Sequence, residues 1–305
     1  MSKKIILLAG PTASGKSKLA VLLAKKINGE IINADSMQLY KEFSILSSRP
    51  SYKDKNKVKH HLYGFISAKK YFSSGEWLRL AKLKINSCHK AKKIPILVGG
   101  TGLYFNTITK GISKIPKIDS KTRNKVRKLF KNLGYQKFFE KLVKLDPKVK
   151  KNILPTDSQR SQRAYEVFLK TKKSIYDWMK NTKSDFLTYD INKIFIDTPR
   201  ENLLKNISTR TKKMFMNNCV EEVKKFNLLK LNKSYSVNKL IGVREINEYL
   251  QGNISLEKCK ELINIKTRQY AKRQNTWARG HMINWNKLYS KDFGVLLKKV
   301  LKVVS

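Results

Sequence analysis

The chain has 305 residues, of which 41% are hydrophobic, and 66 Lys and Arg against 22 Asp and Glu give a net charge of +44. The apolar content supplies a sizeable core and excludes an intrinsically disordered chain, and the length predicts two domains or one domain with an insertion. The three scattered cysteines and the short apolar runs exclude a disulfide framework, a zinc site and a membrane span, so a cytoplasmic location is expected.

Short apolar runs alternate with helical periodicity along much of the chain. Residues 4–9 (KIILLA) predict a buried strand, and residues 16–28 then carry leucines at helical spacing. Three more strands are predicted at 30–34, 94–98 and 193–197. Strands that alternate with helices predict an α/β fold, in which a parallel sheet is covered by helices on both faces.

One long segment interrupts that alternation. Residues 113–190 are polar, strongly basic and helical in pattern, and they stand between two predicted core strands. We interpret them as an inserted all-helical domain, with residues 1–112 and 191–305 forming the core domain. From Arg200 to the end, the pattern is again helical with basic faces.

The loop after the first predicted strand reads GPTASGKS and matches the phosphate-loop (P-loop) pattern G-x-x-x-x-G-K-[ST], in the required context between a strand and a helix. Backbone N–H groups, the helix N-terminus and the Lys16 ammonium bind phosphate in such a loop, and the Ser17 hydroxyl is a ligand for Mg²⁺. A Gly-rich turn without a ligand is the alternative. The predicted diphosphate- or triphosphate-binding residues are Gly10, Pro11, Thr12, Ala13, Ser14, Gly15, Lys16 and Ser17.

Two further motifs follow predicted strands. Asp35 comes directly after the second strand, and Thr101 stands in a Gly-Gly-Thr-Gly run after the third. Ligands gather at the carboxyl ends of parallel strands, so Asp35 could hold Mg²⁺ through water or act as a general base. Its alternative role is to cap the next helix. The glycines around Thr101 indicate close approach of the backbone to a ligand, or else a tight turn.

Taken in order, these motifs resemble one family, the tRNA dimethylallyltransferases. The matching blocks run from about residue 4 to residue 280, and the chain is similar to the bacterial members because it has no C-terminal Cys/His zinc finger. The blocks are GPTASGKS, INADSMQLY, His60-His61-Leu62, GGTGLYF, DSQRSQRAYE from Asp157, the spaced residues Arg200, Arg210 and Met214, IGVRE from Ile241, and TRQYAKRQNTW from Thr267.

The resemblance implies a P-loop NTPase-like core and a prenyl transfer. A dimethylallyl group would move from dimethylallyl diphosphate to N6 of the adenosine on the 3′ side of the tRNA anticodon, with Mg²⁺ as the cofactor. Asp35 would accept the N6 proton or orient the amine, Thr101 would lie at the same centre, and Arg210 would neutralise the departing diphosphate. The adenosine must leave its stack to react, and donor and acceptor would enter a channel from opposite ends.

The same resemblance implies that the inserted domain binds the tRNA anticodon stem-loop together with parts of the core. The basic run 266–279, with Tyr270 and Trp277 interleaved, suits an RNA surface, although an amphipathic helix with a solvated basic face gives the same pattern. The expected tRNA contacts are Asp35, Ser36, Met37, Gln38, Thr101, Arg123, Gln159, Arg160, Ser161, Gln162, Arg163, Arg244, Lys272 and Arg273.

Several observations leave alternatives open. Because 54 of the basic residues are Lys and only 12 are Arg, the charge indicates either a polyanionic partner or a biased amino-acid composition. His60 and His61 suggest a metal site, but no third ligand stands at a useful spacing, so we expect them to shape the pocket.

The sequence departs from the family where Leu46 and Asn218 replace usual glycines. A P-loop kinase that uses ATP and a non-catalytic RNA-binding protein are the rival functions, and the high charge favours a monomer.

Overall fold

The computed structural model describes residues 3–232 and 235–305, and these form two compact units. One unit, the core unit, comprises the residues up to Ile108 together with Thr188–Ser305, and the second unit is Thr109–Leu187. The sequence placed these boundaries at 113 and 190, but Asp190 is already the first residue of a core strand. Residues 1–2 and 233–234 of the predicted core domain lie outside the described residues.

A parallel sheet forms the centre of the core unit, which confirms the predicted α/β class. Its strands are β1 (Lys4–Ala9), β2 (Gly29–Asn33), β3 (His60–His61), β4 (Ile94–Gly99), β5 (Asp190–Ile196) and β6 (Asn286–Leu288). Among the described residues the strand order is β3-β2-β4-β1-β5-β6, and every pairing is parallel. The four predicted strands are present. The two short edge strands were not predicted, and β6 corrects the expectation that the chain is helical throughout after Arg200.

Helices surround the sheet and make up the second unit. In chain order they are α1 (Lys16–Lys26), α2 (Tyr52–Lys57), α3 (Ser74–Lys90), α4 (Gly102–Thr109), α5 (Ser120–Leu145), α6 (Ser158–Thr171), α7 (Ile175–Lys180), α8 (Arg200–Met216), α9 (Cys219–Asn227), α10 (Val243–Leu250), α11 (Leu256–His281) and α12 (Phe293–Val304). Short 3₁₀ turns span Met37–Leu39, Pro147–Val149 and Ser236–Lys239. No helix in the described ranges has both the length and the apolar content to cross a membrane.

The core of this unit follows the alternation of β1. Ile6 and Leu8 pack on one face of the sheet, where Leu19 of α1 and Leu296 of α12 join the same apolar cluster. Side chains alternate between faces along a strand, so Ile5 and its neighbours at odd positions, which are also fully buried, belong to the opposite face. Burial on both faces explains why β1 is uniformly apolar after Lys4.

The second unit has its own small core. Phe138 and Leu142 of α5 pack against Ala164 and Tyr165 of α6 in one apolar cluster. Within α5, Gly134 adopts φ 70° and ψ 176°, a conformation that favours glycine, and the helix is broken there. The two halves of α5 therefore pack as separate short helices.

The sheet order brings the predicted motifs to one edge. Strands β2, β4 and β1 are neighbours, and they end at Asn33, Gly99 and Ala9, directly before the three motifs. Because all three strands are parallel, their carboxyl ends meet at the same edge of the sheet. The P-loop, Asp35 and the Gly-Gly-Thr-Gly run are thus placed side by side.

Candidate active site

The P-loop has the backbone conformation that its glycines and small residues permit. Gly15 precedes α1 with φ 83°, and Ala13 also has a positive φ of 63°. A Cβ on Gly15 would come within 2.7 Å of Cζ of Phe293 at the start of α12, so both φ and space require glycine there. The hydroxyl of Ser14 is buried and has no hydrogen-bond partner among the described residues. A ligand in the loop would satisfy that group.

Two cations stand over the loop. The Lys16 ammonium donates to the Pro11 carbonyl at 3.0 Å. Burial lowers the pKa of Lys16 from 10.5 to about 8. The negative charge of Asp35 opposes this shift, and the positive charge of Arg210 adds to it. Arg210 of α8 donates to the Thr12 hydroxyl and, at 3.2 Å, to the carbonyl of Leu46. Its Nε atom is buried and has no partner in the described part of the chain. The site therefore holds uncompensated donors, which suits a phosphate anion.

Asp35 is oriented by its own turn. Its backbone N–H donates to Asn33 Oδ1 at 2.8 Å, and one carboxylate oxygen accepts the Met37 N–H at 3.0 Å. This bond stands before the short turn Met37–Leu39, whose N-cap is Ser36 without a side-chain cap hydrogen bond, so Asp35 does not take the capping role expected as an alternative. Its carboxylate acts electrostatically on Lys16. The same charge adds to the effect of burial in raising the pKa of Tyr270. Asp35 thus faces both the P-loop cations and the aromatic face of α11.

Thr101 joins the loops after β2 and β4. Its hydroxyl accepts the Ser36 N–H at 3.0 Å, and its own N–H donates to the Ala34 carbonyl at 3.2 Å. The neighbouring Gln38 donates from its amide to the carbonyls of Ser47 and Ser48, both at 2.9 Å. These bonds hold Asp35 at a fixed position relative to Thr101.

Two adjoining cavities open at this edge of the sheet. The larger, about 1370 Å³, is lined by the whole segment from Thr12 to Lys18 and by Asp35 and Arg210. The smaller, about 290 Å³, is lined by Thr101 and by apolar groups such as Phe105 and Trp277. Three residues line both cavities: Ser36, Tyr270 and Arg273. A space lined by the P-loop and its two cations and a largely apolar space therefore meet beside Asp35.

The glycines around Thr101 permit close contacts within the protein. A Cβ on Gly99 would come within 2.0 Å of the Ala34 carbonyl oxygen, and one on Gly102 within 2.2 Å of the Trp277 ring. A Cβ on Gly100 would meet the side-chain amide of Gln274 at 2.1 Å. The close approach that these glycines permit is to protein atoms. Gly100 and Gly102 also line the smaller cavity, so the close approach of this backbone to a ligand stays a prediction.

Gln274 of α11 is a site residue that sequence reasoning missed. Its side-chain oxygen accepts the Thr12 N–H at 2.8 Å, and its amide nitrogen donates to the Gly100 carbonyl at 2.9 Å. One side chain thus joins the P-loop to the loop that carries Thr101. The resemblance placed Gln274 inside a matching block without a role, and only the tertiary contact reveals one.

The basic run on α11 lies on an amphipathic helix with an exposed basic face, and RNA binding by that face stays a prediction. Every fourth residue from Cys259 to Ala271 is buried, whereas Lys272 and Arg273 are exposed. The guanidinium of Arg273 lies 5.9 Å from the ring centre of Tyr270, a cation–π contact. Arg244, the second residue of α10, is also exposed. The buried face of α11 consists of Cys259, Ile263, Thr267, Ala271 and Ala278.

The other expected tRNA contacts belong to the second unit: Arg123, Gln159, Arg160, Ser161, Gln162 and Arg163. Asp157 caps α6 by accepting the Arg160 N–H at 3.1 Å, and the side chains of Gln159 and Arg160 are exposed. Ser161 is only 1% exposed, so its side chain faces the core of the unit.

The histidine pair has a third neighbour that its spacing did not reveal. His61 Nε2 lies 2.6 Å from a carboxylate oxygen of Glu30, and the Cys88 thiol donates to the same oxygen at 3.5 Å. The three side chains form a buried group with metal-ligand chemistry, which corrects the expectation that no third ligand stands near His61. Burial, and next the Glu30 charge, raise the pKa of the Cys88 thiol to about 12, and the thiol hydrogen-bonds within the group. These contacts suit a polar anchor between β2, β3 and α3.

The two departures from family glycines have different outcomes. Asn218 adopts φ 61° before α9, the left-handed geometry that asparagine tolerates. The φ of Leu46 is not positive, whereas Ser48 has a positive φ of 51°. The backbone of this loop takes its left-handed residue two positions later.

Oxygen donors suited to Mg²⁺ are present at the P-loop. The Ser17 hydroxyl and the Asp35 carboxylate both line the larger cavity, and Mg²⁺ prefers oxygen ligands with several waters retained. The donor set therefore fits this ion.

Comparison with known proteins gives consistent matches. The family model described as "IPP transferase" matches residues 38–281. The chain is 54% identical over 299 residues to a tRNA dimethylallyltransferase of Pelagibacter ubique, covering 98% of this chain and 96% of the relative. It is 40% identical over 306 residues to a tRNA dimethylallyltransferase of Rickettsia massiliae, covering 99% and 84%.

Solved structures match over the same length. A tRNA isopentenylpyrophosphate transferase from Bacillus halodurans has a TM-score of 0.70 at 29% identity, covering 99% of this chain and 97% of that one. A eukaryotic dimethylallyltransferase acting on tRNA has a TM-score of 0.78 at 29% identity, covering 91% and 70%. The similarity therefore includes both the sheet and the segments that follow it.

Proposed function

The chain belongs to the IPP transferase family, and from this premise we propose that it is a tRNA dimethylallyltransferase. The substrates are dimethylallyl diphosphate and a tRNA, and the acceptor is N6 of the adenosine on the 3′ side of the anticodon. The observation that supports this best is the meeting of two cavities at Asp35. One carries phosphate-binding groups and the other is largely apolar.

The diphosphate occupies the P-loop side. Backbone N–H groups of the loop from Ala13 to Ser17, the Lys16 ammonium and the Arg210 guanidinium surround the leaving group. As the bond between C1 of the dimethylallyl group and the diphosphate oxygen breaks, negative charge grows on that oxygen. Fixed cations placed where charge develops lower the barrier, because they need no rearrangement during the reaction.

The acceptor side requires a flipped adenosine. The N6 lone pair forms the new bond to C1, and Asp35 removes one N6 proton, so that a neutral secondary amine and diphosphate are released. The bond from Met37 to one carboxylate oxygen orients Asp35 for this step. Thr101 fixes the same turn through Ser36, at the boundary with the smaller cavity.

Mg²⁺ is the proposed cofactor, and the Ser17 hydroxyl would hold it. When bound, it supplies further positive charge to the diphosphate. A nucleotide such as ATP uses the same loop chemistry, and the reaction proposed here does not consume one.

The protein acts on the tRNA anticodon stem-loop as a monomer in the cytoplasm, in our proposal. A net charge of +44 favours binding to the phosphate backbone and opposes self-association. The described cysteines are buried free thiols, as a reducing compartment permits. The second unit carries 22 Lys and Arg against 7 Asp and Glu, a net charge of +15, which supports a role in tRNA binding.

A transfer assay tests the proposed function. Protein, Mg²⁺, radiolabelled dimethylallyl diphosphate and unmodified tRNA are incubated, and the label is mapped on the RNA. Label on N6 of the adenosine 3′ to the anticodon supports the proposal. ATP hydrolysis or phosphate transfer in place of prenyl transfer would support the kinase alternative.

The lowered pKa of Lys16 gives a testable pH dependence. Lys16 binds diphosphate as the ammonium, and the free protein loses that proton as the pH rises through about 8. The KM for dimethylallyl diphosphate should therefore be flat below this pH and rise about tenfold for each pH unit above it. A Lys16→Arg variant keeps its charge, so its KM should rise much less between pH 8 and 9.5. Equal pH profiles for the two proteins would contradict this role of Lys16.

Salt distinguishes a charged RNA surface from a biased composition. Contacts to six or more phosphates should weaken tRNA binding at least about a hundredfold between about 50 and 200 mM salt. Filter binding at several salt concentrations measures the slope, and Lys272→Gln should reduce it by about one. A tRNA affinity that does not change with salt concentration would support the alternative of a biased amino-acid composition.

A further inference from the structure

Glu222, in the first turn of α9, holds a loop on the far side of the larger cavity. One carboxylate oxygen accepts the backbone N–H groups of Ser44 at 2.5 Å and Ile45 at 2.8 Å, and also the Ser44 hydroxyl at 3.0 Å. The other oxygen accepts the Leu46 N–H at 2.9 Å. A single side chain, about 180 residues away along the chain, thus satisfies three consecutive backbone donors of this loop.

The loop is also fixed by the side chain of Leu46, which is 2% exposed. Leu46 packs against Gly242, where a Cβ would come within 2.7 Å of a Leu46 methyl group. Gly242 has φ 106°, so both its conformation and its missing side chain suit this contact. The loop is therefore held by two contacts, one between its backbone and Glu222 and one between the Leu46 side chain and Gly242.

The carbonyl of the same loop reaches Arg210. Leu46 O accepts from one terminal nitrogen of the Arg210 guanidinium at 3.2 Å, and the Thr12 hydroxyl accepts from the other. The two acceptors fix the guanidinium plane and leave its buried Nε without a partner among the described residues. A displacement of the loop would release one of these two acceptors.

We propose that Glu222 is a positioning residue for the diphosphate site, acting on Arg210 through the loop Ser44–Leu46. The inference depends on the proposed function, because it takes the larger cavity to bind diphosphate. Glu222 itself touches the loop backbone and makes no contact with the P-loop among the described residues. Its effect on diphosphate must pass through Leu46 O and Arg210, and this dependence can be tested.

The test measures binding of inorganic pyrophosphate with Mg²⁺ to the full chain by calorimetry. Glu222→Gln keeps the size of the side chain but replaces one acceptor by an amide that points donors at N–H groups. We expect pyrophosphate affinity to fall about tenfold, with tRNA affinity within twofold of wild type. Glu221→Gln is the matched control, because the neighbouring Glu221 is exposed and pairs with Lys224 at 2.7 Å on the same helix. Its pyrophosphate affinity should equal that of wild type.

A double-mutant cycle separates positioning from a purely structural role. If Glu222 acts through Arg210, Glu222→Gln should have no further effect on pyrophosphate affinity in an Arg210→Gln background. Additive losses, or an unchanged affinity in folded Glu222→Gln, would overturn the inference while leaving the proposed function intact. If wild type fails to bind pyrophosphate, the proposed function fails first, and this inference with it.

A second variant keeps the inference testable if Glu222→Gln does not fold. Gly242→Ala presses a methyl group on Leu46 and moves the loop without changing Glu222 or Arg210. The same tenfold loss of pyrophosphate affinity is expected, and it should again vanish in the Arg210→Gln background. A Gly242→Ala protein that binds pyrophosphate as wild type does would overturn the inference.

Discussion

Replacement of Asp35 by asparagine should reduce kcat for dimethylallyl transfer by about a hundredfold to ten-thousandfold, as the loss of a general base predicts. Asparagine keeps an oxygen that can accept the Met37 N–H, so the turn is preserved while the proton acceptor is lost. Single-turnover assays with saturating tRNA measure the chemical step directly. The KM for dimethylallyl diphosphate should change little, because Asp35 is not proposed to bind the diphosphate directly.

A matched carboxylate on the same sheet provides the control for Asp35. Asp190 lies at the opposite, amino end of β5, where it is 3.9 Å from the Lys4 ammonium. Asp190→Asn should leave kcat within twofold of wild type. Affinity of Asp35→Asn for tRNA should stay within a few-fold, since the lost charge is negative. Near-normal turnover by Asp35→Asn would contradict its assignment as the base.

Loss of the Arg210 guanidinium should reduce kcat nearly as much as loss of the Asp35 carboxylate, but for a different reason. Arg210→Gln removes a fixed positive charge from the leaving group, and removal of one such group costs about a hundredfold to a thousandfold in kcat. Pyrophosphate should also inhibit the variant more weakly, because ground-state binding of diphosphate uses the same contact. Competition assays with pyrophosphate separate these two losses.

Two further variants define how Arg210 acts. Arg210→Lys keeps a positive charge but cannot reach Thr12 and Leu46 together, so it should recover only part of the activity. Lys212→Gln removes an exposed charge two positions along α8 and should leave pyrophosphate inhibition unchanged. Equal pyrophosphate inhibition of Arg210→Gln and wild type would contradict the assigned role.

The parts of the fold that the sequence predicted are those with a strong local signal. The strand β1 is buried on both faces, so its apolar run was unambiguous. The strands β3 and β6 have two and three residues, and Asn286 and Lys287 in β6 are exposed, so no apolar run indicated them. These edge strands form because a parallel neighbour offers free backbone groups, which is a tertiary cause.

The site residues that could be predicted from the sequence are those that belong to a motif with known chemistry. Lys16, Asp35 and Thr101 follow strand ends, and the parallel sheet brings their loops together. The supporting side chains were not predictable in the same way. Gln274 and Glu222 act on loops that lie far from them in sequence, and each resembles an ordinary polar helix residue until those loops are in place. The contacts of Gly100 with Gln274 and of Gly102 with Trp277 were not predictable either, because they depend on the placement of α11.

The central position of β1 has a consequence for biosynthesis. Its first residue, Lys4, pairs with Asp190 of β5, and its ammonium donates to the Val304 carbonyl at 2.6 Å. While the ribosome is still translating the helical insertion, β1 therefore lacks its neighbour on one side and presents open backbone donors and acceptors. The insertion is built from local helical contacts, so we expect it to fold before the sheet closes. The first strand to be translated, β1, therefore gains its second neighbour, β5, only after the insertion has been made. A stall in translation between these two points would leave an aggregation-prone edge of β1 exposed.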